Sequence, residues 1–433
     1  MLKKLILENW KSFRYAELPV DPLTILIGTN ASGKSNAVEA LEFLRRVAVG
    51  DALDVALVGN FQWSPIRGGL DLAVFQHEKQ FTLKIIVQGN NEVDYSYSIT
   101  VATKPYVRLL EESIVGLPSD ISYETTQQQS HLTPIHQPLE LFHVGCSSSK
   151  SNLEITKIFG VNLEPSSVES SLAQLGWLSS MIQHGVFESG KQASLDSFEV
   201  LKEAVIAIYN TLVSIFILDP APIKMRSYSS VSHQLADDAA NIAGVLAALS
   251  DEKKSSVEST LSNYIVHLPE QDMRKVWAET VGRLNTDAML YCEESWASDK
   301  PPMVIDARGM SDGTLRFLAI VTAILTRPEG SQLVIEEVDN GLHPSRAELL
   351  LKMLKELGAK RKIDILVTTH NPALLNALEP EMIPFVVVAH RDAQTGESKL
   401  TPLDDIQRLP KLLASGHVGD LATQGVIEKS LSQ

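Results

Sequence analysis

Cysteine is nearly missing from this chain: Cys146 and Cys292 are its only two in 433 residues, and they form no Cys-x-x-Cys pair. That scarcity excludes a disulfide framework and gives a zinc site no support. A reducing, cytoplasmic setting is the expectation. Long apolar runs are also lacking, since nothing approaches the roughly eighteen residues a bilayer span requires. The opening MLKKLILENWKSF has an apolar core too short for a signal peptide, so no membrane association is expected. Positive charge is in deficit, with 38 Lys and Arg against 53 Asp and Glu, a net charge of −15. This excludes a protein that coats nucleic acid through bulk electrostatics, though a local basic patch stays open. No sustained heptad seam and no solenoid repeat occur. What is present is a globular balance of 44% hydrophobic and 21% charged residues. At this length it fits two or three domains, or one discontinuous domain with an insertion.

The most informative segment is Gly28, Thr29, Asn30, Ala31, Ser32, Gly33, Lys34 and Ser35, which reads GTNASGKS. It follows the apolar run Leu23 to Ile27 and precedes a helical pattern that begins at Asn36 and ends at Arg46. A glycine-rich loop between a strand and a helix offers consecutive backbone N–H groups to an anion, reinforced by the positive end of the helix. In such a loop Lys34 reaches the β- and γ-phosphates, and Ser35 places its hydroxyl on a Mg²⁺ that bridges them.

Further along, the chain alternates between classes of element. Short β-type runs fill Leu2 to Ile27, and Leu70 to Phe75, Phe81 to Val87 and Tyr95 to Val101 read as antiparallel strands. Loop-like composition marks Thr125 to Ser130 and Ser147 to Ser151. Helical periodicity dominates from Ser171 to Asn285, as in Ser197 to Ile217 and Ala239 to Leu261. Strand and helix then alternate: Val304 to Asp306, a helix Asp312 to Leu325, Leu333 to Glu336, a helix Ser345 to Leu357, and Ile363 to Thr368. That order is the mark of a parallel α/β sheet. The expected organisation is a discontinuous head, 1–115 with 286–433, and an inserted, mainly helical arm or lid over 116–285.

Gln332 to Glu337 is an apolar strand ending in two acids, the way to carry carboxylates to the rim of a parallel sheet. Successive side chains alternate, so the acids divide the work. Glu336 suits the Mg²⁺, and Glu337 suits the water that attacks the γ-phosphate. A second strand ends in Thr368-Thr369-His370-Asn371-Pro372, which places the His370 imidazole within reach of a γ-phosphate oxygen. Met310-Ser311-Asp312-Gly313-Thr314 opens a strongly apolar helix. Ser311 there reads as an N-cap with Asp312 complementing the helix dipole, or, together with Gly313, as a second anion site.

Together these residues resemble the ATP-binding-cassette ATPases of the SMC, RecF and OLD type. GTNASGKS resembles Walker A, Met310 to Thr314 a variant LSGGQ signature, LVIEE Walker B, and TTHNP the switch-histidine segment, in matching order. The opening LILENWKSF resembles the first strand of RecF and SMC heads, and EEVDNGLHP with THNPALLN resembles the ATPases of the OLD and anti-phage-defence groups.

The resemblance implies an α/β P-loop NTPase head of ABC type with a mixed β-sheet lobe and a mainly helical insertion, binding ATP and Mg²⁺. It implies a head-to-tail homodimer or higher homo-oligomer, in which Ser311 and Gly313 of one subunit contact the γ-phosphate held by Walker A of the other. Asn340 to Pro344 takes the D-loop position, with His343 as a communicator between subunits or a turn former beside Pro344.

The departures are specific. Glu336 stands where most ABC proteins have Asp, and Asp312 and Thr314 replace Gly and Gln in the signature. Gln62, Gln76 and the turn Arg67-Gly68-Gly69 compete for the Q-loop position. No Toprim-type nuclease segment comes after the histidine strand. The implied function is an ATP-gated dimeric switch in genome maintenance or anti-phage defence, acting on DNA or on a separate effector such as a nuclease. The alternatives are a RecF-like ATPase that binds DNA directly and a slow ATP-dependent scaffold with no DNA role.

Overall fold

The computed structural model describes residues 1–61, 63–89, 93–118, 139–146, 153–155, 195–268, 273–295, 301–406, 409–414 and 416–431. Two compact units form: the first from 1–20, 31–215 and 389–401, the second from 21–30, 216–388 and 402–433.

The first unit begins with β1 (Leu2–Trp10) and β2 (Phe13–Pro19), while β3 (Leu23–Ile27) belongs to the second. The strands β1 and β2 join β4 (Gln80–Gln88), β5 (Val93–Ala102), β6 (Arg108–Pro118), β7 (Leu139–Cys146) and β8 (Leu153–Ile155) in a seven-stranded antiparallel sheet ordered β2-β1-β4-β5-β6-β7-β8. From Phe81 to Ile85, β4 alternates buried and half-buried side chains, as a strand with one covered face should. The helix Lys34–Ala48 packs on β1 and on the helix Leu195–Ser214. Trp10, Phe43 and Phe81 are fully buried, with edge-to-face contacts at 4.8 Å for Trp10 to Phe81 and 5.4 Å for Phe43 to Phe81. Each such side chain contributes roughly 2–3 kcal/mol through burial. The phosphate-loop helix is thereby fastened to the first strand of the sheet.

The second unit holds a parallel sheet, with β9 (Phe216–Leu218), β14 (Gln332–Ile335), β15 (Asp364–Thr369) and the first half of β16 (Val386–Arg391) ordered β16-β3-β15-β14-β9. All residues of β3 and β14 are buried, which is why they read as unbroken apolar runs. The helices Asp312–Thr326 and Ala347–Arg361 lie among these strands in sequence and pack against each other. A second, antiparallel sheet comprises β10 (Ser229–Ser230), β11 (Met273–Val281), β12 (Asp287–Glu294) and β13 (Met303–Asp306), with β12 pairing each of the others. The rest of β16 and nearly all of β17 (Ser398–Pro402) fall in the first unit. No helix among the described residues is long and apolar enough to cross a membrane.

Three elements differ from the sequence reading. Leu70 to Phe75 is a set of turns in which only Val74 bridges Trp10. Turn hydrogen bonds such as Leu72 N–H to the Gly68 carbonyl at 3.4 Å compete with extension there. The helix read to Ile217 stops at Ser214, because Phe216 to Leu218 pair in parallel with Leu333 to Ile335. An apolar run that short has no period of its own, and burial in the sheet decides it. Ala239 to Leu261 is two helices, Ile242–Ala247 and Asp251–Val266, separated at Ser250, which is extended (φ −59°, ψ 150°).

The described residues of 116–285 include strands as well as helices. They supply β7 and β8 to the first unit's sheet, contribute β9 to the parallel sheet, and contain β11. The Gln/Ser-rich and Ser/Lys-rich stretches at 125–130 and 147–151 lie outside the described residues.

Candidate functional site

The carboxyl ends of the parallel strands set the geometry. Ile27, the last residue of β3, lies opposite Thr369 of β15, and Ile335, the last of β14, lies opposite Val367. One step beyond these registers stand Gly28, His370 and Glu336. A single sheet edge in the second unit thus gathers Gly28, Thr29 and Asn30 with Glu336, Glu337 and His370, the edge at which α/β sheets hold their ligands.

At this edge the backbone departs from regular structure. Glu337 adopts φ 46°, a left-handed conformation that costs a non-glycine residue about 1 kcal/mol. It is fixed by the Thr368 hydroxyl, which accepts the Glu337 N–H at 2.9 Å, and by the Thr368 carbonyl, which accepts the Val338 N–H at 3.1 Å. The resulting turn leaves Glu336 half-buried and Glu337 exposed, so the adjacent acids face different surroundings. Asn340 Nδ2 donates to Glu337 Oε2 at 3.4 Å. His370 is exposed, and the next residue, Asn371, accepts the Ala373 N–H at 2.9 Å as cap of the helix Pro372–Asn376.

Ala31 to Asn36 lie in the first unit. Ala31 (φ 62°) and Gly33 (φ 117°) turn the loop through left-handed conformations. Gly33 has no room for a side chain, because a Cβ there would sit 2.8 Å from Phe13 Cζ and 2.9 Å from Ser398 Oγ. Ser32 is buried with its hydroxyl unpartnered, and Lys34 is only 8% exposed. The helix start is held by β1 and the turn after it: Trp10 Nε1 donates to the Asn36 carbonyl at 2.7 Å, and Asn36 Nδ2 donates to Ser12 Oγ at 2.7 Å. Arg391 Nε donates to the Ala31 carbonyl at 3.0 Å.

Beside these groups lies a cleft of about 490 Å³ lined by Lys11, Ser12, Asn36, Arg67, Gln76 and Arg391 among others. Buried Glu39 joins Lys11, and also accepts the Arg67 N–H at 3.1 Å. Burial holds the Lys11 ammonium below the usual lysine range, and Glu39 opposes that shift. Of the Q-loop candidates, Gln76, Arg67 and Gly68 line this cleft, whereas Gln62 lies outside the described residues. Ser12 and Arg391 escaped the sequence reading. Ser12 sits in the NWKSF segment, which carried a signal, but Arg391 is 360 residues from its partner in the chain and carried none.

The signature turn is only half exposed. Ser311 and Asp312 face solvent, while Gly313 and Thr314 are buried. Ser311 Oγ caps the helix by accepting the Thr314 N–H at 3.1 Å. Gly313 is closely packed: a Cβ on it would meet the Gly341 carbonyl oxygen at 2.6 Å and Arg346 Nη1 at 3.1 Å. Gly313 thus packs against the turn Asn340 to Pro344 of the same chain. Gly313→Ala should push that backbone aside and lower the second unit's stability by about 1–3 kcal/mol. A thermal melt of the variant checks this, and an unchanged midpoint would show that the turn yields freely. His343 Nδ1 lies 2.7 Å from Ser345 Oγ, and its side chain caps the short helix Pro344–Arg346.

The family described as "AAA domain, putative AbiEii toxin, Type IV TA system" matches residues 23–143 and 304–376. The matched stretches carry the phosphate loop, Met310 to Thr314, the paired acids and His370. A comparison with curated proteins finds no match.

Among solved structures, an SMC head bound to the C-terminal winged-helix domain of ScpA is 12% identical with a TM-score of 0.48, covering 92% of this chain and 96% of that one. The SMC head domain of Thermotoga maritima is 15% identical, with a TM-score of 0.42 and coverage of 93% and 98%. An SMC head with an extended coiled coil, bound to the C-terminal domain of ScpA derived from Pyrococcus furiosus, is 11% identical, with a TM-score of 0.45 and coverage of 95% and 99%. The chain's own fold is α/β, with a parallel sheet whose strand β3 leads into the glycine-rich loop and the helix after it.

Proposed function

We propose that this chain is a Mg²⁺-dependent ATPase that works as an ATP-gated pair of identical heads. The observation that carries the reading is the shared sheet edge, where the start of the phosphate loop, both acids and His370 follow the ends of adjacent parallel strands. The loop suits a triphosphate: its backbone turns at Ala31 and Gly33, admits no side chain at Gly33, and holds the unpartnered Ser32 hydroxyl.

In this reading Gly28 to Asn36 cradle the phosphates, and Lys34 takes the charge of the β- and γ-oxygens. Ser35 and Glu336 would hold a Mg²⁺, which would supply charge neutralisation to the phosphate oxygens. Glu337 accepts a proton from the attacking water, and His370 donates a hydrogen bond to the γ-phosphate. The cleft bearing Ser12, Asn36 and Arg391 receives the nucleoside portion. The exposed Ser311 turn of a second copy closes over the triphosphate, so that assembly and turnover depend on one another. The biological setting we favour is genome maintenance or anti-phage defence, with DNA or a separate effector such as a nuclease as the controlled party.

Sedimentation of the full chain with ATP, with ADP and without nucleotide tests the pairing. ATP with Mg²⁺ should produce a dimer that ADP does not sustain. A chain that stays monomeric, or is equally dimeric, in all conditions rejects the gate. Removing Mg²⁺ with a chelator should abolish phosphate release, and stimulation of that release by added DNA would assign the partner class.

A further inference from the structure

The signature turn carries a carboxylate at the point where pairing of two heads would bring in a polyanion. Asp312 opens the helix with its side chain 65% exposed. It does not stand alone. Arg226, following the short helix Pro222–Met225, donates from Nη2 to Asp312 Oδ1 at 2.6 Å and to the Met310 carbonyl at 2.9 Å. Asp219, from the same connection after β9, lies 3.9 Å from Arg316 on the next turn of the signature helix. The connection 219–226 thus meets the start of that helix with one acid and one arginine, and each finds its opposite there. Buried Arg346 adds a further cation beneath, its Nη2 lying 3.5 Å from Thr314 Oγ1.

We infer that Arg226 is a positioning residue that makes an Asp-bearing signature competent to receive the triphosphate of a second copy, an inference resting on the paired-head reading above. A carboxylate in the first turn favours the helix itself but repels an incoming polyphosphate. The guanidinium removes that repulsion without removing the helix-favouring acid. A partly exposed ion pair contributes little to folding, so its loss should be felt at the interface and not in the fold.

The test uses the full-length chain with ATP and Mg²⁺, comparing the parent with Arg226→Ala, Asp312→Gly and the double variant by sedimentation. Melting temperature and binding of a fluorescent ATP analogue to the monomer serve as folding controls. Arg226→Ala should weaken ATP-dependent dimerisation by about tenfold or more while melting and monomer binding hold steady. Adding Asp312→Gly should bring dimerisation back to within about threefold of the parent, because the charge that needed cancelling is gone. If the double variant stays as impaired as Arg226→Ala, or if Arg226→Ala pairs like the parent, the inference fails although the pairing stands. A parent that never pairs with ATP removes both.

Discussion

Replacing Glu337 by Gln should lower ATP turnover at least about a hundredfold while leaving ATP affinity within about threefold. The amide keeps the shape and the hydrogen-bonding reach of the acid but cannot take a proton, and a positioned general base is worth roughly 10²–10⁴ in rate. The side chain is exposed and its backbone is held by Thr368, so the exchange disturbs neither packing nor the left-handed turn. Stability should move by less than about 0.5 kcal/mol, as for other surface changes. Phosphate release and equilibrium ATP binding, measured on the same preparation, decide the outcome. Unimpaired release by the Glu337→Gln variant would take the base role from this residue. A parallel loss of binding would instead place it among the groups that hold the nucleotide.

The same variant separates a switch from a motor. If hydrolysis resets a paired state, the Glu337→Gln chain should accumulate as an ATP-loaded dimer that outlasts removal of free nucleotide.

Much of this site was legible because its residues are contiguous in the chain. GTNASGKS, the paired acids after Leu333-Val334-Ile335 and TTHNP each follow an apolar strand, and the structure places those strands side by side. Illegible were the elements whose state depends on distant partners. Phe216-Ile217-Leu218 is a strand because β14 lies beside it, and the sequence preceding it is helical without a break in apolar character. β11 and β12 pair along Lys275 to Val281 in a region that read as helix, since burial on one face imposes a period of two only once the partner is in place.

The signature showed the limit most clearly. Ser311 and Gly313 read together as anion contacts; the structure adds that Gly341 lies against Gly313 and that an arginine 86 residues away answers Asp312. Spacing in the chain carries no information about either.

Gly33→Ala should be the most disruptive single exchange in the phosphate loop, for two independent reasons that add. At φ 117° with ψ near 0° the backbone lies at the outer side of the left-handed region, which glycine adopts freely and an L-residue rarely does, a strain of about 1–3 kcal/mol. The new methyl group would also stand 2.8 Å from the ring of fully buried Phe13 and 3.0 Å from Ser398 Cβ. Neither neighbour can step back freely, since Ser398 N–H is bonded to the Ser12 carbonyl at 2.8 Å, and overpacking of this kind costs a further 1–3 kcal/mol or so. A loss of about 3 kcal/mol is a large share of a typical unit's stability. Relief is open in one direction, by shifting the loop outward and spoiling the N–H array. ATP should then fail to raise the melting temperature of the variant, where it raises that of the parent. If the alanine chain melts like the parent and is still stabilised by ATP, the tight backbone approach at this position is not what binds the phosphates. The cradle would then have to be assigned to the lysine and serine side chains alone.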